Sequence, residues 1–244
     1  MADYAAERAE VLEAVRRIVA LGLVAGASGN VSRRIAAASG RAEGPPPGDD
    51  PARGRAEGPS REGDYRELFA ITASRVPYHR FGIDDVLVVD GDVEPLVGDG
   101  IPSSESLAHL AVYAARPDVG AVIHTHSPYA SAFAVAGQPI PCILDEQVVT
   151  LGGEVAVAEY AASASQELAD NAVRALGDRA AVLLRHHGVL GVGRDLEEAV
   201  AVVELVERVA KVRLLSLQLG GGELADEIVQ TERGMYRMMK GMRG

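Results

Sequence analysis

A three-layer α/β/α fold built on a mostly antiparallel central sheet is what this 244-residue sequence predicts. Short apolar runs of strand length alternate along the chain with longer stretches whose apolar residues recur at helical spacing. The runs are spaced partly as hairpins and partly across intervening helices, which places helices on the faces of a sheet that is not all-parallel. The size, 25.5 kDa, suffices for one sizeable core, so residues 1–244 are read as one domain.

From the start, Tyr4 to Ala20 sets Val11, Leu12, Val15, Ile18 and Val19 at helical spacing among charged residues, and Gly22 follows as a stop. The glycine-bearing loop Gly26-Ala27-Ser28-Gly29-Asn30 feeds a strand, Val31 to Ile35, whose hairpin partner is Leu68 to Thr72. Between them, residues 39–63 are rich in Pro, Gly, Arg and Glu and hold the near-duplicate units Gly40 to Pro45 and Gly54 to Pro59. Too little there is apolar to pack, which predicts a disordered hairpin-tip insertion.

Further strands are expected at Asp85–Asp90, Val119–His124, Val155–Val157, Ala181–Leu184 and Val189–Val192. Helices are expected at Ser104–Ala115, Pro128–Ala136, Ser165–Leu176, Leu196–Leu219 and over the tail from Glu223 to Met242.

A net charge of −11 argues against nucleic acid, whose recognition needs a basic face. No apolar run approaches the ~20 residues of a membrane span. Cys142 is the one cysteine, and Met1 to Glu7 lacks a basic region followed by an apolar stretch, so a cytoplasmic protein is expected. Lys211 and Lys240 are the only lysines, and neither sits in an apolar setting fit for a Schiff base. Carbonyl chemistry in this chain would therefore need a metal.

The metal candidates are explicit. His124 and His126 stand one residue apart at a strand end, and alternation puts both imidazoles on one face. Glu105 begins a helix upstream, and the strand Leu183-Leu184 ends in Arg185-His186-His187-Gly188. Of the adjacent pair only one ring can face the ion, and His187 is favoured by its glycine neighbour, which permits close approach. Three imidazoles and a carboxylate suit Zn²⁺, or another divalent cation such as Mn²⁺ or Co²⁺. His109 follows Glu105 by one helical turn, either as a partner of that carboxylate or as a helix-surface histidine, and His79 reads as loop surface. Ser103 and Ser104 precede the helix, where one can cap it and both can seat an anion.

Together the segments GLVAGASGNVS, AITASRVPY, IPSSESLAH, PDVGAVIHTHSPYASA and LLRHHGVLGVGRDLEEA resemble, in order and over nearly the whole chain outside the insertion, the class II aldolase/adducin family and its fuculose-phosphate aldolase branch. The resemblance implies a homotetramer with active sites at subunit contacts and Zn²⁺ on Glu105, His124, His126 and His187. It also implies a phosphate pocket from Asn30, Ser74, Ser103 and Ser104, with Ser28, Gly29 and Arg75 alongside.

Three departures bear on the substrate. Ala27 replaces a threonine and Arg75 a glycine, exchanging a phosphate hydrogen bond for a planar cation that either grips phosphate or carboxylate at two points or projects into solvent. Asp145, followed by Glu146, stands where the branch has a tyrosine supplied by a neighbouring subunit to protonate the aldehyde oxygen. Tyr236 is a candidate for the branch's C-terminal tyrosine.

The implied activity is that of a metal-dependent aldehyde-lyase cleaving a ketose phosphate to dihydroxyacetone phosphate and an aldehyde. A divalent ion stabilises the enediolate charge, and Glu105 acts as general base. The alternatives are a keto-acid decarboxylase or a ketose-phosphate dehydratase on the same metal site, and, least expected, a non-catalytic adducin-like scaffold.

Overall fold

The computed structural model describes residues 4–35 and 67–242, so the expected insertion at 39–63 lies outside the described residues. In chain order the elements are α1 (Ala5–Ala20), β1 (Asn30–Ile35), β2 (Leu68–Thr72), β3 (Val86–Val89), β4 (Pro95–Val97), α2 (Ser106–Ala115), β5 (Ala121–Thr125), α3 (Pro128–Ala136), α4 (Asp145–Leu151), β6 (Val157–Ala158), α5 (Gln166–Leu176), β7 (Ala181–Leu184), β8 (Gly188–Gly193), α6 (Leu196–Leu217) and α7 (Asp226–Gly241). Helix starts and stops follow local chemistry. The Ser165 hydroxyl accepts the Leu168 N–H at the head of α5, and the Asp195 carboxylate accepts the Glu198 N–H at the head of α6. Pro128 opens α3, and Gly137 in the left-handed region closes it.

The strands form one sheet in the order β4-β3-β2-β1-β5-β8-β7-β6. It is mixed: β6 and β7 run parallel, and the remaining neighbours are antiparallel.

Helices cover both faces, and side-chain alternation divides the core between them. Phe69, Ile71, Leu87, Val89, Val122 and Leu190 pack with α2 and α5. Ala70, Val86, Val88, Ala121 and Ile123 pack with α1 and α6 on the other face. A third cluster joins α3 and α6 to Ala181 and Leu183.

Strand β4 and helix α4 were not anticipated, and the stretch at Val155 corrects a strand expectation. Val155 makes an isolated bridge with Ile140, and the paired strand is Val157–Ala158. Among the described residues no helix is long and apolar enough to cross a membrane.

Register brings one set of chain segments to a single end of the sheet. Asn30 opens β1 opposite His124 near the end of β5. Thr72 closes β2, and its hydroxyl oxygen accepts the Val31 N–H. The β7–β8 turn, which holds His187, lies between Leu184 and Gly188, next to the Thr125–Val189 pair. Ile35 and Leu68 stand at the opposite end.

Candidate metal centre

His124, His126 and His187 converge at that sheet end, each offering a ring nitrogen within 4.8 Å of the others'. Their ring centroids are 4.7 to 5.0 Å apart and the planes cross steeply, at 69 to 77°, so the rings surround a point rather than stack. The backbone explains the convergence. Alternation points His124 and His126 to the α2 face, and the left-handed His186 (φ 57°) turns the chain so that His187 joins them. His186 itself is exposed and meets the Tyr160 ring at 5.9 Å.

Hydrogen bonding sets the tautomer. His124 donates its Nδ1–H to the Val189 carbonyl at 2.9 Å, which leaves the Nε2 lone pair directed at His126 Nε2, 2.9 Å away. Burial, and then the neighbouring imidazoles, hold His124 well below the ordinary histidine range. Burial and His187 lower His126, against the opposite pull of Glu105. Neutral rings with converging lone pairs are the form that ligates a cation.

Glu105 caps α2 and is 5 % exposed. It is not one of the ligand atoms clustered within 4.8 Å, but its charge reaches His126. One carboxylate oxygen, Oε1, accepts the Ser163 hydroxyl, while Oε2 is buried with no partner among the described residues. An unsatisfied buried carboxylate oxygen beside three converging imidazoles fits a divalent cation as the missing partner, with a nitrogen-and-oxygen donor set suited to zinc. Ser163 carried no signal in the sequence: it is one serine between alanines, brought to Glu105 across 58 residues by the α5 approach loop.

The residues nominated for an anion pocket lie at the same sheet end with unequal freedom. Asn30 is buried and its Oδ1 has no partner. Ser28 is used within its own turn, donating to the Ala25 carbonyl at 2.7 Å. Gly29 (φ 81°) lies so close to the His124 carbonyl oxygen that a β-carbon there would overlap it, and Tyr78 braces the turn by donating to the Gly29 carbonyl at 2.8 Å. Ser74 and Ser103 flank the Ala73–Pro102 bridge, their N–H groups donating to Ile101 and Thr72. The Ser103 hydroxyl accepts the Glu105 N–H, so it supports the head of α2, which begins two residues later than Ser104. Ser104 and Arg75 are exposed, and Arg75 holds a left-handed backbone, φ 63°.

Other nominated residues are not gathered here within one chain. Asp145 and Glu146 are exposed in the first turn of α4, where Glu146 pairs with Arg208 at 2.7 Å. Tyr236, nominated as the branch's C-terminal tyrosine, lies beyond the opposite sheet end, because its hydroxyl donates to the Asp178 carbonyl ahead of β7, at 2.8 Å. A cavity of about 290 Å³ opens beside it, lined in part by Arg116, Asp118, Arg194 and Lys240. The cations there are engaged, Arg116 and Lys240 with Asp118 and Arg194 with Glu198.

A family model described as Class II Aldolase and Adducin N-terminal domain matches residues 9–214. The L-fuculose phosphate aldolase of Escherichia coli strain K12 is 32% identical over 155 residues, 64% of this chain and 72% of that protein. The 5-methylthioribulose-1-phosphate/5-deoxyribulose-1-phosphate aldolase of Rhodospirillum rubrum is 31% identical over 220 residues, 89% of this chain and 86% of that protein. A solved L-fuculose 1-phosphate aldolase superposes with a TM-score of 0.77 at 29% identity, covering 95% of this chain and 96% of the other.

Proposed function

The chain belongs to the class II aldolase and adducin N-terminal domain family, and from that premise we propose that it is a metal-dependent aldehyde-lyase that cleaves a ketose 1-phosphate to dihydroxyacetone phosphate and an aldehyde. The observation that carries the reading is the convergence of His124, His126 and His187 next to the unpartnered Oε2 of Glu105. Relatives named for fuculose phosphate, methylthioribulose phosphate and deoxyribulose phosphate share this phosphorylated ketose class.

His124, His126 and His187 would hold Zn²⁺, with Glu105 as the displaceable fourth donor. When bound, the ion supplies Lewis-acid stabilisation for the negative charge that builds up as the carbon–carbon bond breaks. The protein's own groups do the rest. Glu105 carries the proton to and from the carbon that is broken or joined, a role for which a carboxylate with one held and one free oxygen is suited. Asn30 seats the phosphate with its side-chain amide and Ser74, Ser103 and Ser104 with their hydroxyl groups, Ser28 and Gly29 shape the turn beside them, and Arg75 contributes its guanidinium. Asp145 and Glu146, remote from the histidines within one chain, are assigned to a neighbouring copy's site. The reading thus includes a homotetramer with sites at subunit contacts, in the cytoplasm. The exposed, half-apolar face of α7 (Ile228, Met235, Met238) supports burial against another copy.

The test is a panel of ketose 1-phosphates and keto acids offered to purified zinc-loaded protein, read as aldehyde release, water loss and CO₂ release. Aldehyde together with dihydroxyacetone phosphate is expected. Exclusive CO₂ release or dehydration would replace the aldolase with the decarboxylase or dehydratase reading, and no turnover with no bound metal would leave a scaffold.

A further inference from the structure

Three polar side chains run through the otherwise apolar packing between α2 and the sheet: Tyr113 at 1 % exposure, and Ser32 and His109 at 0 %. The Ser32 hydroxyl lies 2.8 Å from the Tyr113 hydroxyl and 2.7 Å from His109 Nδ1. The far nitrogen of the ring, His109 Nε2, is buried with no partner among the described residues. A polar chain that crosses a core and ends in an orphaned nitrogen is costly unless that end meets something.

At the histidine end of this face two more buried side-chain atoms lack partners among the described residues, Asn30 Oδ1 and Glu105 Oε2; Arg34 Nε, also unpartnered, lies at the Tyr113 end. Asn30 is two residues before Ser32 on the same strand face, opposite His124. Glu105 is four residues before His109, one helical turn back on the same side of α2. Both orphaned oxygens are acceptors, and His109 Nε2 is the one atom of the three that can donate.

We propose that Tyr113, Ser32 and His109 form a buried positioning relay that keeps the His109 proton on Nε2 and directs that N–H at the Glu105 carboxylate through one internal water. The direction of the chain follows from counting protons. If Tyr113 donates to Ser32 and Ser32 donates to His109 Nδ1, every hydroxyl is used and Nε2–H faces the unpaired oxygens. Run the other way, the chain ends in a lone pair facing two further acceptors, three repelling atoms with no donor among them. Burial keeps the ring neutral, so the tautomer, not the charge, is what the relay sets. His109 is thereby a positioning residue for Glu105. It steadies the carboxylate that the proposed function uses as proton carrier, and in that consequence the inference rests on that reading.

The relay is tested apart from catalysis on the full-length, metal-free protein labelled with ¹⁵N-histidine, with the His109 signals assigned by their loss in His109→Gln. NMR should show Nε2 protonated and Nδ1 unprotonated, Ser32→Ala should abolish that preference, and Glu105→Ala should shift the Nε2–H proton signal. A proton on Nδ1 in the wild type, or an Nε2–H signal indifferent to Glu105→Ala, would overturn the relay. In turnover, His109→Leu is expected to lower kcat by about 10- to 100-fold with KM little changed. His109→Gln, whose amide can both accept from Ser32 and donate onward, should recover most of the loss. Wild-type kcat in His109→Leu would also overturn the proposal. Absence of lyase activity in the wild type would count against the function above while the NMR result still decided the relay.

Discussion

Gly188 abuts Thr125: a β-carbon at 188 would overlap the Thr125 carbonyl oxygen and lie 3.1 Å from ring carbons of both His124 and His126. The missing side chain is what lets β8 leave the turn while the three imidazoles stay together. Gly188→Ala is therefore expected to cost about 1–3 kcal/mol through backbone displacement and to reduce the bound zinc of the purified protein measured by elemental analysis. Full metal content and unchanged melting in that variant would show that the turn has slack the packing does not suggest.

Glu105→Gln separates binding from proton transfer. The amide keeps the shape and can still take the Ser163 hydroxyl at its carbonyl oxygen, but it cannot carry a proton at neutral pH. Cleavage should fall by about 10²- to 10⁴-fold, the range for loss of a general base, while the three histidines keep the metal. Undiminished turnover would remove Glu105 from the chemistry.

The readable part of the site was the part that is local in sequence. Side chains two apart on a strand share a face, so His124 and His126 were legible as a pair, and His187 as their partner beside a glycine. The relay was not legible: Ser32 and His109 are 77 residues apart and meet only because α2 docks on the β1–β5 side of the sheet. Ser163 was hidden for the same reason. In the fold, long periodic stretches such as α1 and α6 could be read to within a few residues. Helix α4 spans seven residues, too few to establish a period, and β4 is a three-residue strand beginning with proline. Tyr236 could be nominated as a match for the branch's C-terminal tyrosine, but helix periodicity alone cannot say which sheet end its hydroxyl will find.

The buried imidazoles make stability depend on pH in a defined direction. His109 is pushed down to about 3 by burial, and His124 and His126 are lowered by burial and then by His187. The unfolded chain takes up these protons near the ordinary histidine value of about 6.5. Below that value the unfolded state binds more protons than the folded one, so stability falls as the pH falls, by at most about 1.4 kcal/mol per pH unit for a fully buried ring such as His109. Melting of the protein with chelator present should decline from pH 6.5 to 4.5, with a shallower decline in His109→Gln. A flat profile would mean that the rings titrate in the fold as they do in water.

Arg75 couples backbone strain to the proposed anion pocket. A side chain at φ 63° costs about 1–2 kcal/mol relative to glycine, and an exposed arginine gains little from packing there, so the residue needs another reason to be tolerated. Its place directly after Ser74, at the sheet end where Asn30 and Ser103 stand, fits the proposed one: a two-point grip on the substrate's phosphate. Arg75→Gly should thus separate two properties that most substitutions lower together. Thermal stability is expected to hold or rise by about 1 kcal/mol as the strain is relieved, while KM for a ketose 1-phosphate rises by about 10-fold, the equivalent of one lost charge-assisted interaction of ~1.4 kcal/mol. Kinetics on the phosphorylated substrate and its unphosphorylated counterpart complete the test. If Arg75 grips phosphate, the variant loses its discrimination between the two, and equal effects on both would assign the guanidinium to solvent.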